Sequence, residues 1–255
     1  MEYFIVGLVA FLASLLTFFS GFGLGTLLTP VFVIFFPIEI AIAGTGLVHF
    51  SNNMFKILLV GKNVSKSVVI KFGLPGMVGA AIGAFLLISL TSLGTIYQTS
   101  TSWLEVNITP VNLVIGLVLI AFATKDLQSK GNAGIDKKWL PLGGLLSGFF
   151  GGLSGHQGAM RTAFLTKLGL TKEAFIASGI AIACLVDITR IPFYFKNITG
   201  LDSVPKTLFV VATLCAFAGA LFGKYFLKKI NLETLHKIVA VAIILVALAM
   251  IVGLI

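Results

Sequence analysis

The stretch Ser154-Gly-His-Gln-Gly-Ala-Met-Arg161 places an imidazole, an amide and a guanidinium beside flexible backbone, inside an otherwise apolar sequence. Arg161 is one of only two arginines in 255 residues. A basic side chain at the centre of an inserted helix costs about 2.5–3.5 kcal/mol, so it is seldom there without a partner or a task. The fixed fork of donors on Arg161 suits carboxylate, sulfite or sulfonate oxygens. Its alternative use is structural, as an ion-pair partner for Asp187 or a donor to backbone carbonyls. His156 and Gln157 offer neutral hydrogen bonds, and His156 can carry a proton or be purely structural. With Ser154, Gly155 and Gly158 these residues form the first candidate binding set.

A weaker copy, Ser20-Gly-Phe-Gly-Leu-Gly-Thr26, adds Gly21, Gly23, Gly25 and Thr26. Where such a stretch starts a helix, its first N–H groups lack partners and favour an anion, while glycine lets the ligand approach the backbone. The alternative is that the glycines serve only close helix packing. A third set, His49, Asn52, Asn53 and Lys56, is spaced i, i+3, i+4, i+7 and shares one helix face. Asp187 and Arg190, spaced i, i+3, can pair on their own helix. Lys62-Asn63-Val64 matches Lys196-Asn197-Ile198, and at the same offset Asn53 and Lys56 fall on Asp187 and Arg190. The chain therefore reads as two repeats.

The elements that must hold these residues belong in a bilayer. Hydrophobic residues make up 58% and charged residues 11%, too few charges to cover a soluble surface. The expected fold is an all-α, polytopic integral membrane protein of two inverted-topology repeats. Each repeat has a re-entrant helical hairpin followed by three transmembrane helices, two ordinary but short spans being the alternative to each hairpin. Residues 1–124 form the first repeat, 125–138 a cytoplasmic linker and 139–255 the second. The hairpins are expected over 3–36 and 139–168. The spans are expected over 40–60, 68–90, 110–124, 173–195, 204–227 and 235–255. The lysine clusters set the orientation: Lys62, Lys66, Lys71, Lys125, Lys130, Lys137, Lys138, Lys167, Lys172, Lys224, Lys228, Lys229 and Lys237 are cytoplasmic, and only Lys196 and Lys206 lie outside with both termini. With no lysine or arginine before Lys56, the first helix is expected to stay uncleaved.

The net charge of +9 is spread in short clusters between apolar runs, which argues against nucleic acid. Cys184 and Cys215 lie inside apolar segments and read as core residues. No H-E-x-x-H, P-loop or cysteine–histidine spacing is present, so no enzyme, metal or cofactor is expected. The partners expected are a small anion and the lipid bilayer. Coupling to a proton or cation, and a homo-oligomer, are left open.

Ser20-Gly-Phe-Gly-Leu-Gly-Thr-Leu-Leu-Thr-Pro30 resembles the glycine-rich, proline-terminated stretch of the TauE/SafE family of sulfite- and organosulfonate-exporter-type membrane proteins. Glu39-Ile-Ala-Ile-Ala-Gly-Thr45 is similar to the alanine-rich start of its next helix. The resemblance covers essentially the whole chain. The second copy departs from the pattern: His156-Gln157 replaces the glycine run, Arg161 is added, and Ala163 stands where proline is common. The resemblance implies transport of a small anion such as sulfite, a sulfonate or a related organic acid; the reading adopted is an exporter working by alternating access, with import left open. A passive anion channel, a membrane-embedded enzyme or a thiol-relay importer are the alternatives.

Overall fold

A computed structural model of the chain describes residues 2–20, 24–100, 105–128, 137–200, 204–226 and 232–254. Almost all of it is helix: α1 (Glu2–Ser20), α2 (Leu24–Phe35), α3 (Ile38–Val60), α4 (Lys66–Val68), α5 (Leu74–Thr91), α6 (Pro110–Gln128), α7 (Leu140–Ser154), α8 (Gly158–Leu165), α9 (Lys172–Asn197), α10 (Lys206–Phe226) and α11 (Leu232–Ile251). A π turn over Val69–Gly73 joins α4 to α5 as one 26-residue helix. Each apolar run expected to be helical is helical.

Among the described residues, three helices are long and apolar enough to cross a membrane: Lys66–Thr91, Lys172–Asn197 and Lys206–Tyr225. α3 has the length, 23 residues, but His49, Asn52, Asn53 and Lys56 lower its hydropathy. Large apolar side chains face outward as well as inward. Phe4, Leu58, Phe85, Leu117 and Leu245 are exposed, while His49, Asn52, Asn53 and Lys56 of α3 and Asp187 and Arg190 of α9 are buried.

Glycine sets how closely the helices pack. α5 and α7 lie parallel with their backbones in contact: Gly76, Gly79 and Gly83 face Gly144, Gly148 and Gly152. A methyl group at Gly148 would run into the Gly76 carbonyl, and one at Gly79 into that of Leu145. This small-residue seam gives van der Waals contact where lipid removes any hydrophobic drive for association. α1 runs parallel to α10 in a comparable way, with Gly219 against the Phe11 carbonyl and Gly7 against Cys215. α6 packs on α11, and α3 packs antiparallel on α9, so Gly46 meets Arg190 and His49 meets Asp187.

Local signals explain the helix ends. Pro37 precedes α3, and Glu39 in its first turn suits the helix dipole. The Thr171 hydroxyl accepts from Ala174 N at 3.2 Å to cap α9. α7 stops at Gly155, whose φ of 80° suits a residue without Cβ.

One departure from an all-helical chain is a small hairpin, β1 (Tyr97–Ser100) paired antiparallel with β2 (Glu105–Ile108). Thr99, Val106 and Ile108 favour extended backbone, and Asn107 N donates to Gly253 O at 2.8 Å, tying β2 to the end of α11.

Candidate functional site

α3 and α9 carry the centre of the site. Asp187 accepts Nδ1–H of His49 at 2.6 Å on one oxygen. On the other it accepts Nε and Nη2 of Arg190 at 2.9 and 2.8 Å, and the Gln157 amide at 3.4 Å. The pairing of Asp187 with Arg190 within one helix is as the spacing required. Asn53 stands one turn from His49 with its amide nitrogen 3.2 Å from the ring. Asn52, on the same helix but turned toward α1 and α10, donates to Ala216 O at 3.2 Å. Its carbonyl accepts from Ser14 Oγ at 3.0 Å and Lys56 Nζ at 3.2 Å. The polar stripe of α3 is thus divided: His49 and Asn53 serve α9, while Asn52 holds the Lys56 ammonium.

The break between α7 and α8 is the second component. The last turn of α7 is held from α9: Arg190 Nη1 donates at 2.6 Å to Gly151 O, which also accepts the capping Gly155 N at 3.0 Å, and the Tyr194 hydroxyl donates to Gly152 O. A cation there also suits the negative end of the α7 dipole. Ser147 Oγ donates to Gln157 O at 2.9 Å, pinning the break to α7. Ser154 turns its hydroxyl back to Phe150 O, and its own carbonyl accepts His156 Nδ1–H at 2.8 Å. Gly158 opens α8. Arg161, one turn on, donates to Gln157 Oε1 at 3.5 Å and has Nε beside Gly179. Its charge is felt at Lys56.

The start of α2 completes the site. Gly25 lies against the second break: a Cβ there would be 3.3 Å from Gly155 O and 3.5 Å from Thr45. A Cβ at Gly155 would lie 3.5 Å from Arg190 Nη1 and 3.6 Å from Thr29 Oγ1. Thr26 is buried in the first turn. Gly21 and Gly23 lie outside the described residues. Every other site residue expected from the sequence lies in α2, α3, α9 or the α7–α8 break.

Five contributors were not foreseen: Ser14, Thr29, Thr45, Ser147 and Tyr194. Thr29 and Thr45 stand out because other buried or half-buried helix hydroxyls, such as Thr17, Ser51 and Thr189, bond to the carbonyl four residues back. The Thr29 and Thr45 hydroxyls, and Nε2 of His156, are buried with no hydrogen-bond partner. Each such atom costs about 1–3 kcal/mol, which marks the place where a ligand is rewarded. A sequence signal was available: Thr45 is four residues before His49, Thr29 four after Gly25, and Tyr194 four after Arg190.

Charge defines what the site can hold. Among the described residues the buried charged groups are Lys56, Arg161, Arg190 and one carboxylate, Asp187. Two positive charges therefore remain in excess in a low-dielectric interior, next to two helix N-termini and two unpartnered hydroxyls. That combination suits a small oxyanion. Among the described residues no group of His, Cys, Asp and Glu could hold a metal ion, and Cys184 and Cys215 are free thiols.

No curated protein and no solved structure matches the chain significantly. The family model described as Sulfite exporter TauE/SafE matches residues 6–250. With nearly the whole length covered, and long apolar helices around a buried polar centre, the chain belongs to the sulfite exporter TauE/SafE family of membrane transporters.

Proposed function

We propose that the protein exports a small oxyanion, namely sulfite, an organosulfonate or a related organic acid, by alternating access. The observation that carries this reading is the buried excess of positive charge: Lys56, Arg161 and Arg190 against Asp187 alone among the described residues. Uncompensated ions in the membrane interior are costly, and an anionic cargo offsets that cost each time it binds.

The arrangement of the charges supports entry from two sides. Gly46 on α3 is level with Arg190, and Lys56 further along α3 is close to Arg161. Ten residues of helix separate the two levels, a rise of about 15 Å. His49 and Asp187 lie between them. Arg190 would meet the anion from the outer side, and Lys56 with Arg161 from the cytoplasmic side.

Two inverted repeats, residues 1–124 and 139–255, fit this mechanism. Matching helices in order pairs α1 with α7, α2 with α8, α3 with α9, α5 with α10 and α6 with α11. Under that matching the α1–α10 and α5–α7 contacts are equivalent, and α3–α9 and α6–α11 are contacts of an element with its own counterpart. The antiparallel α3–α9 contact supports inversion, as does the parallel course of α5 and α7. α2, with 12 residues, and α8, with 8, rise about 18 and 12 Å, too little for a hydrocarbon core of about 30 Å. Each would return to its own side, with the substrate where the two breaks meet.

Flux of labelled sulfite, methanesulfonate and acetate in proteoliposomes tests the reading. Saturable flux of one of them, accelerated by the same anion on the opposite side, is expected. Flux that rises without saturation indicates a channel and overturns alternating access. Failure to move any anion overturns the function.

A further inference from the structure

The two buried histidines of the site are connected differently. Nδ1–H of His49 is committed to Asp187, and the Asn53 amide supplies a donor for its other nitrogen. His156 has only one edge satisfied. Its Nδ1 lies 2.8 Å from the Ser154 carbonyl, which can only accept, so Nδ1 carries the hydrogen. Nε2 on the opposite edge has no partner, although the residue is 3% exposed. The ring stacks on Phe122 of α6, centroids 6.4 Å apart and 19° from parallel, so a ligand meets its Nε2 edge rather than that face.

In the neutral ring this Nε2 is a lone pair, which repels an oxyanion. Only a donor satisfies it, and a proton converts it from acceptor to donor. We propose that the transported anion binds together with one proton held at His156 Nε2, whose N–H then donates to an anion oxygen. The inference rests on the anion-transport reading and names the co-ligand of that same site. The Nε2–H bond forms with a proton taken from the water on the side from which the anion enters, and it breaks when the anion leaves, the proton passing to water on the exit side. The facing groups agree with paired binding. From α9 the charged group on this side of the break is Arg190, with Nη1 3.5 Å from where a Cβ at Gly155 would stand. From α6 comes only the uncharged Phe122, and from the break itself the Ser154 carbonyl and the Gln157 amide. The anion cancels the repulsion between Arg190 and a charged ring, so anion and proton each strengthen binding of the other.

Calorimetry on the purified full chain tests this. Methanesulfonate is the probe, because it stays fully ionised between about pH 5.5 and pH 8; sulfite and acetate are run alongside. Two buffers of different ionisation enthalpy count the protons. In the upper part of the range, affinity should rise about tenfold for each unit of falling pH, with about one proton taken up per anion. His156→Gln puts a permanent amide donor near the Nε2 position. It should bind with a flat pH profile and no proton uptake, while His156→Ala should lose binding, both with wild-type melting temperatures. Wild-type binding of methanesulfonate without proton uptake, or a wild-type pH profile in His156→Gln, overturns the inference and leaves the transporter reading standing. Wild-type protein that binds none of the three anions removes both.

Discussion

Asp187 Oδ2 and His49 Nδ1 stand 2.6 Å apart across the contact between α9 and α3. The other oxygen of Asp187 carries Arg190, which in turn reaches the end of α7. One carboxylate therefore connects α3, α9 and the α7–α8 break, and it is fully buried while doing so.

Asp187→Asn should be costly for the fold. It leaves Arg190 and His49 without their shared acceptor, and breaking a buried pair by removing one partner costs about 3–5 kcal/mol. The melting midpoint of the detergent-purified protein should fall by several degrees or more. An unchanged midpoint would show that the carboxylate does not hold these helices together.

Thr29→Val and Thr45→Val should act in the opposite sense. Each replaces an unpartnered buried hydroxyl with a methyl of similar shape, so stability should stay level or rise. Affinity for the transported anion should drop about 2- to 10-fold for each, the worth of one ordinary hydrogen bond. Reduced stability with unchanged affinity would make both hydroxyls structural.

Much of this arrangement was readable from residue type and spacing, and the unread part has a common cause. His49, Asn53 and Lys56 announced themselves because polar groups at helical spacing in an apolar helix need a reason. Asp187 and Arg190 did so by their i, i+3 separation. Thr29 and Thr45 did not, because threonine in a membrane helix ordinarily bonds to its own backbone, and only coordinates reveal that these two do not. Asn52 carried the right spacing but faces α1 and α10, since one stripe on a helix about 10 Å wide can border two neighbours. The β1–β2 hairpin was hidden in a Ser/Thr-rich connection, and only the coordinates show its pairing and the bond from Asn107 to Gly253 that ties it to the end of α11.

Gly148→Ala tests the glycine seam. The added methyl would collide with the Gly76 carbonyl, which belongs to backbone and cannot swing away. Separating α5 from α7 should cost about 1–3 kcal/mol and shift the α7–α8 break with it. A wild-type melting temperature in Gly148→Ala would remove the seam as a determinant of packing.

Orientation can be tested by cysteine labelling after Cys184 and Cys215 are changed to alanine. Pro37, exposed between α2 and α3, should react as cysteine with an impermeant external reagent if the first helix pair returns to its own side. Asn63, exposed between α3 and α4, should react only after permeabilisation. External labelling of Asn63→Cys in sealed cells would reverse the proposed topology.

Arg161 offers the sharpest separation between substrate contact and structure. Lysine keeps its charge but loses the flat fork that meets two oxygens at once. If Arg161 grips the anion, Arg161→Lys should weaken binding roughly 10- to 100-fold, since a charge-assisted bond contributes about 1.5–3 kcal/mol. Folding should be retained, because the site still has an ammonium near Gln157 and Asp187 keeps Arg190 and His49. If Arg161 instead only balances charge around Asp187, lysine should bind as well as arginine. Anion affinity and melting temperature measured on the wild type and on Arg161→Lys decide the matter. Wild-type affinity in Arg161→Lys would take Arg161 out of the substrate site and leave Lys56 and Arg190 to hold the anion.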